Sequence, residues 1–273
     1  MDKLFGRASE IASYHAIFPI EEDVYILRQA GLGTFYIAIT SDEESVSDSW
    51  ILNLISKNFA YDYHETFLRI LNSVDAPRSH WLLKAPIHSV YLDTLLRHYP
   101  HAVLLMVHRR LDEVLPSYCQ LMRYFYNLYF EESDLTGRDA STRRAIQVID
   151  KFIKCIVEFH TRPQQLIDEP YSNIFHVLYD DLMGKQIATV RRIYDHFGLP
   201  WSEEFEAKMR IWLRDNPQGK QGRHAYSLTE FGLTREDIEQ RYANYIELFL
   251  RSSPLGVVNS DQHASNDTQV QNA

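Results

Sequence analysis

The chain has 273 residues, of which 45% are hydrophobic and 24% are charged, a balance typical of a globular protein with a substantial core. Its formal net charge is −9, the opposite of the bias carried by proteins that neutralise many nucleic-acid phosphates. The only two cysteines, Cys119 and Cys155, exclude a disulfide scaffold and a cysteine-based zinc site. An acidic chain can still hold a small basic pocket, so a small anionic ligand remains compatible with this composition.

The sequence is not expected to contain a signal peptide or a membrane span. The first 19 residues lack the continuous apolar stretch of a signal peptide, and no run approaches the about 18 apolar residues of a membrane span. We therefore expect a soluble, cytoplasmic protein with no membrane span. Residues 1–251 are expected to form a single domain, and the polar, aperiodic residues 252–273 are expected to form a disordered tail.

Strand and helix patterns alternate along the domain. Apolar runs predict buried parallel strands at residues 80–83, 102–107 and 174–179. Pro86 begins and Pro100 ends a helical stretch between the first two strands. Further helices are predicted at residues 111–130, 141–160, 187–197, 203–214 and 235–250. The alternation predicts an α/β fold, with a central parallel sheet of at least three strands flanked by helices and a helix-rich C-terminal half.

Basic residues follow two of the predicted strands. Lys84 follows the first strand, and His108, Arg109 and Arg110 follow the second. Ligands of parallel sheets bind beyond the carboxyl ends of the strands, so we expect Lys84 and Arg109 to share an anion-binding crevice. Ser117, near the start of the next helix, fits the same crevice, although a capping serine and a solvated lysine are ordinary alternatives.

These segments resemble the paired core motifs of the PAPS-dependent sulfotransferases, in the bacterial-type branch of the superfamily. The match consists of WLLKAPIH at residues 81–88 and LLRHYPHAVLLMVHRRLDEVLPSYCQL at residues 95–121. The later segments VLYDDL, VRRIYDHFGLP and GRHAYSLTEFGLT follow in the family's order. The chain departs from the pattern at Ala85, where serine is usual, and at Arg110-Leu111, where Asp-Pro is usual. The resemblance covers roughly residues 20–250 and implies a nucleotide kinase-like fold.

The resemblance also implies the roles of particular residues. Arg109 and Ser117 would hold the 3′-phosphate of PAPS, with Arg223 and Lys220 reaching the same phosphate. Lys84 would stabilise the charge that develops on the leaving oxygen, and such stabilisation lowers a barrier. His88 would take the proton of the acceptor, with His108 as a second choice. The implied reaction moves a sulfuryl group from PAPS to a hydroxyl or amine of a small molecule or glycan and leaves PAP, with no metal.

The loop that grips the 5′-phosphosulfate in this family is not recognisable here. In the family this loop has a Gly-x-x-Arg-Ser/Thr-Gly-Thr-Thr-like sequence and follows a first strand, and no such sequence is found here. The glycine-rich residues 30–34 (AGLGT) contain no lysine or arginine that could bind a phosphate. An N-terminally incomplete chain and a natural variant that has lost catalysis both account for this. The alternatives are therefore an inactive binding module and, less favoured without a G-x-x-x-x-G-K-[ST] sequence, a kinase-like phosphotransferase.

Overall fold

The computed structural model describes residues 22–32, 56–77, 79–131, 135–162, 173–217 and 227–251. Lys220, Arg223 and the predicted tail lie outside the described residues. The α-helices of this part of the chain are α1 (Val24–Gln29), α2 (Asn58–Val74), α3 (Leu92–His98), α4 (Leu111–Tyr129), α5 (Leu135–Thr161), α6 (Tyr179–Gly184), α7 (Gln186–His196), α8 (Glu203–Asp215), α9 (Arg235–Arg241) and α10 (Ala243–Tyr245). Short 3₁₀ segments span Pro86–Val90 and Leu228–Phe231, and a π-helical segment, Ile246–Arg251, ends the described chain.

Two parallel strands form the sheet of the described residues. Strand β1 (Leu104–His108) pairs with β2 (Ile174–Leu178), from Leu104 opposite Ile174 to His108 opposite Leu178. The chain returns from β1 to β2 through the long helices α4 and α5, as a parallel connection requires. The second and third predicted strands and the helix-rich α/β class are confirmed.

The prediction of a strand at residues 80–83 is wrong. This stretch has no strand partner in the described chain, and its apolar side chains are exposed, with 86% of Leu82 accessible. The described sheet therefore has two strands rather than at least three. An apolar run shows that a segment suits a sheet, but the segment becomes a strand only when another backbone pairs with it.

The helix boundaries differ from the predicted ones at two places. The stretch after Lys84 divides into the 3₁₀ segment that Pro86 begins and helix α3, because Tyr91 leaves the helical region with φ −126° and ψ 34°. The last predicted helix divides at Tyr242 in the same way. Helix α7 ends as predicted, because Gly198 adopts a left-handed conformation with φ 62°.

The largest core lies between α4, α5 and the C-terminal helices. Leu115 and Cys119 of α4 pack with Ile149 of α5 and with Tyr245 and Phe249 near the end of the described chain. Cys155 of α5 is only partly buried, unlike Cys119, and both are free thiols.

A second core fixes the N-terminal helix next to the segment that carries Lys84. Leu27 of α1 and Ala60 of α2 pack against Ala85 and Ile87, with Val148 of α5 beneath them. Burial of this cluster places the residues just before α1 beside residues 84–88.

Candidate active site

The imidazole of His88 is held by hydrogen bonds at both ring nitrogens. Its Nε2 lies 2.8 Å from Oδ2 of Asp23, and its Nδ1 lies 2.8 Å from the hydroxyl of Tyr61. The 3₁₀ segment that begins at Pro86 orients the ring, and Asp23 stands immediately before α1. The side chain of His88 keeps 14% of its surface exposed, so the ring lies at the edge of a buried network.

A second imidazole binds the same carboxylate oxygen. Nε2 of His64 lies 3.1 Å from Oδ2 of Asp23, and its Nδ1 lies 2.7 Å from the hydroxyl of Tyr99. His64 is fully buried on α2, and Asp23 is 6% exposed. In the described part of the chain, Oδ1 of Asp23 is buried and makes no hydrogen bond.

The protonation of the network follows from its surroundings. Burial alone would raise the pKa of Asp23, but the hydrogen bonds and charges of His64 and His88 bring it well below its usual range. The carboxylate can then only accept, so each ring donates its Nε2–H to Asp23. Burial raises the pKa of Tyr61 and of Tyr99, so both hydroxyls stay protonated. When the ring of His88 is neutral and donates from Nε2, its Nδ1 accepts and is the nitrogen that can take up a proton.

Lys84 is positioned from the same short segment. Its Nζ forms an ion pair with Glu22, the residue before Asp23, while 66% of the lysine side chain remains exposed. Consecutive residues of the chain thus hold the two predicted catalytic side chains, Lys84 through Glu22 and His88 through Asp23.

Arg109 leaves β1 and lies against the start of α4. Its Nε donates to Oε2 of Glu113 at 2.9 Å, and its guanidinium carbon lies 4.2 Å from the centre of the Tyr179 ring. Ser117 is partly buried one turn beyond Glu113, so both residues lie on the same face of α4. Arg109, which precedes α4, thus contacts the face of α4 that also carries Ser117.

His108 faces the core instead. Its Nε2 lies 2.8 Å from Nδ1 of His176, its Nδ1 lies 3.1 Å from the hydroxyl of Tyr245, and its ring stacks on Phe249 with centres 4.2 Å apart. Burial, and then the neighbouring His176 and His160, lower the pKa of His108 to about 3. The enclosed ring of His108 therefore packs in the core at the end of β1. Arg110 instead points outward, and its guanidinium donates to Asp112.

Sequence reasoning missed Asp23, Glu22, His64 and Tyr61. The only sign of His64 was its place on the buried face of α2, in register with Ala60 and Leu68. A histidine on an apolar helix face is usual in cores, so this sign alone does not indicate a site. Of the other predicted residues, Lys220 and Arg223 lie outside the described residues, as do Gly33 and Thr34 of the glycine-rich stretch.

The sequence model of the sulfotransferase family matches residues 20–203, which make up more than half of the chain. The chain belongs to the sulfotransferase family. This match contains Asp23, His64, Lys84, His88 and Arg109, so the whole network described above lies within the family's region.

The chain is also similar in sequence to individual sulfotransferases. The omega-hydroxy-beta-dihydromenaquinone-9 sulfotransferases Stf3 of Mycobacterium bovis and Mycobacterium tuberculosis are each 24% identical over 216 residues, covering 77% of this chain and 52% of theirs. The chain thus spans about half the length of these curated relatives.

Solved structures agree on the fold. The sulfotransferase STF9 of Mycobacterium avium superposes with a TM-score of 0.72 at 25% identity, over 90% of this chain and 64% of that one. STF1 of Mycobacterium tuberculosis superposes with a TM-score of 0.66 at 24% identity, over 82% of this chain and 55% of that one. The α/β class is therefore that of the sulfotransferases. None of the described helices combines the length and the apolar character needed to cross a membrane.

Proposed function

We propose that this sulfotransferase takes its sulfuryl group from PAPS and transfers it to a hydroxyl or amine of a small-molecule or glycan acceptor. The observation that supports the proposal is that Glu22 and Asp23 bring Lys84 and His88 to one place. A cation and a base in one site suit a reaction in which one oxygen gains charge while another loses a proton.

We further propose that Lys84 and Arg109 bind the same anionic donor. Arg109 forms an ion pair with Glu113, and Lys84 forms one with Glu22. More than a third of each basic side chain is exposed. Exposed ion pairs are worth little, so a doubly phosphorylated nucleotide can replace these carboxylates at small cost. Arg109, with Ser117 on the same helix face, would hold the 3′-phosphate, and Lys220 and Arg223 are proposed to reach it.

PAPS supplies the sulfuryl group when it is bound. In the proposed step the sulfur–oxygen bond to the donor phosphate breaks, and a bond forms from sulfur to the acceptor oxygen, or to the acceptor nitrogen if the acceptor is an amine. The proton of the acceptor passes to Nδ1 of His88, because Nε2 already carries the hydrogen that Asp23 accepts. Lys84 offsets the charge that remains on the phosphate oxygen. Because Tyr61 is fully buried, the acceptor hydroxyl can take the place of the Tyr61 hydroxyl at Nδ1 only after the Tyr61 ring has moved aside.

The acceptor belongs to the small-molecule class in this proposal. The Stf3 relatives are named for omega-hydroxy-beta-dihydromenaquinone-9, a molecule with a hydroxyl to receive the group. Both relatives are named as sulfotransferases, so they lend no support to the alternative of an inactive binding module. We further propose that the protein works in the cytoplasm, in keeping with the sequence.

The test is transfer of radiolabelled sulfuryl from PAPS to a panel comprising a hydroxylated quinone, a phenol, an amine and a glycan. Lys84→Ala is expected to lower turnover about 100-fold or more. Lys154 is equally exposed and is also paired with a glutamate, so Lys154→Ala is the matched control. His88→Ala should abolish turnover without reducing retention on immobilised PAP. Absence of transfer to every acceptor, or equal turnover of the two lysine variants, would contradict the proposal.

A further inference from the structure

Asp23, His64 and His88 bring three metal-ligand atoms to one point. One ligand atom of each of these three residues lies within 4.8 Å of the other two. The carboxylate oxygen is 3.1 Å from one nitrogen and 2.8 Å from the other. Tetrahedral zinc with bonds of about 2.0 Å holds its ligand atoms about 3.3 Å apart, so these two oxygen–nitrogen distances are about 0.2–0.5 Å shorter than the spacing that the ion requires.

We propose that Asp23, His64 and His88 form a binding site for a divalent transition-metal ion, with Zn²⁺ as the best fit. Two imidazoles and one carboxylate are ligands that zinc accepts, and three protein ligands leave a fourth position open. His88, the most exposed of the three, marks the side on which that position opens.

The orphaned oxygen of Asp23 is an independent sign of a missing partner. In the described chain Oδ1 is buried and receives no hydrogen bond, while Oδ2 receives two. Buried carboxylate oxygens are normally satisfied, and an unpaired one in a native site calls for a partner. A cation that the carboxylate binds through both oxygens would supply that partner.

The outer nitrogens of both rings are already supported. Nδ1 of His64 lies 2.7 Å from the hydroxyl of Tyr99, and Nδ1 of His88 lies 2.8 Å from that of Tyr61. A ring that binds a metal through Nε2 must carry its hydrogen on Nδ1 and donate it outward. A phenol hydroxyl can accept as well as donate, so the same tyrosines serve the rings with and without the ion.

A bound ion would also switch off the proposed transfer, a consequence that rests on the proposed function. Metal on Nε2 fixes the hydrogen of His88 on Nδ1, the nitrogen that is proposed to take the proton of the acceptor. Zinc would therefore inhibit transfer by removing the base, without competing with PAPS for Arg109.

Binding is tested directly by titrating the full chain, treated with a chelator and dialysed, with Zn²⁺ in a calorimeter. We expect about one ion per chain. His88→Ala should weaken binding at least about 100-fold, and Tyr99→Phe, which keeps all three ligands, should weaken it about 10-fold to 100-fold. His80→Ala, on an exposed histidine outside the cluster, should change nothing. Co²⁺ should give the intense visible absorption of a four-coordinate ion, and Zn²⁺ should displace it.

The outcomes separate the two proposals. No binding by the wild-type chain, or equal binding by wild type and His88→Ala, would overturn the metal site. Binding of Zn²⁺ with undiminished sulfuryl transfer would leave the metal site standing and remove His88 as the base.

Discussion

Asp23 and His88 are 65 residues apart in the chain, yet Oδ2 of one meets Nε2 of the other at 2.8 Å. The contact exists because α1 packs through Leu27 against Ala85 and Ile87, which flank the start of the 3₁₀ segment. Packing of apolar side chains thus sets the geometry of a polar pair. The same packing puts Glu22 next to Lys84, so one short segment positions both proposed catalytic side chains.

Asp23→Asn should lower both stability and turnover. An amide oxygen accepts more weakly than a carboxylate, and the amide's NH₂ faces imidazole N–H groups if it is turned the other way. Leaving one imidazole N–H unsatisfied in this buried site costs about 1–3 kcal/mol of unfolding free energy. Turnover should fall at least about tenfold because His88 loses the partner that fixes its tautomer. Urea unfolding and the PAPS transfer assay measure the two effects.

Tyr61→Phe is the matched control for this substitution. It removes a hydroxyl from Nδ1 of the same ring but leaves the bond to Asp23 intact. The proposed reaction replaces that hydroxyl with the acceptor's, so turnover should stay within about threefold of wild type. A loss as large as that of Asp23→Asn would contradict the proposed replacement of the Tyr61 hydroxyl by the acceptor.

Glu113→Gln should strengthen binding of PAP. In the structure Glu113 holds Arg109 at 2.9 Å and neutralises the guanidinium proposed to bind the 3′-phosphate. Removing that charge should raise affinity several-fold, whereas Arg109→Ala should weaken binding by about 1.5–3 kcal/mol. Calorimetric titration with PAP measures both. Glu204→Gln, which breaks a similar pair with Lys208 on α8, should have no effect. Equal affinity of wild type and Arg109→Ala would remove Arg109 from the site.

The exposure of residues 80–83 can be tested by measuring the unfolding free energies of two variants. Leu82 is 86% exposed, whereas Ile87, five residues later, is 1% exposed. Leu82→Ser should change the unfolding free energy by less than about 0.5 kcal/mol, and Ile87→Ala should cost about 2–5 kcal/mol. If Leu82→Ser cost as much as Ile87→Ala, the segment would be packed in the folded protein.

Lys84, His88 and Arg109 could be found from the sequence because short motifs carry them. β1 and β2 could be found as well, since each apolar run has the other as its partner. Asp23 and His64 could not be found, because their importance lies in contacts across 65 and 41 residues that no local pattern encodes. For residues 80–83, periodicity gave the preference for a strand but no information about a pairing neighbour.

Acid should destabilise the protein through the buried histidines at the end of β1. His108 faces His176, His160 and Tyr245, and burial is the main reason why the pKa of His108 falls to about 3 and that of His176 to about 4. The unfolded chain takes up protons near pH 6.5, but the folded chain does so only near these lower values. Stability is therefore full above pH 6.5 and declines as the pH falls from 6.5 towards 4 and 3. Between pH 6.5 and 5 the combined loss is on the order of 2 kcal/mol.

Urea unfolding at pH 7, 6 and 5 measures this decline. Asp23, whose pKa is lowered, adds to this loss only below about pH 4, because unfolded carboxyl groups bind protons near pH 4. His108→Gln, which keeps a polar side chain without a titratable ring, should give a shallower decline than wild type. Because His108 lies against Phe249 and not against the Asp23 network, the substitution should leave zinc binding unchanged. A decline as steep in His108→Gln as in wild type would show that other groups govern the acid sensitivity.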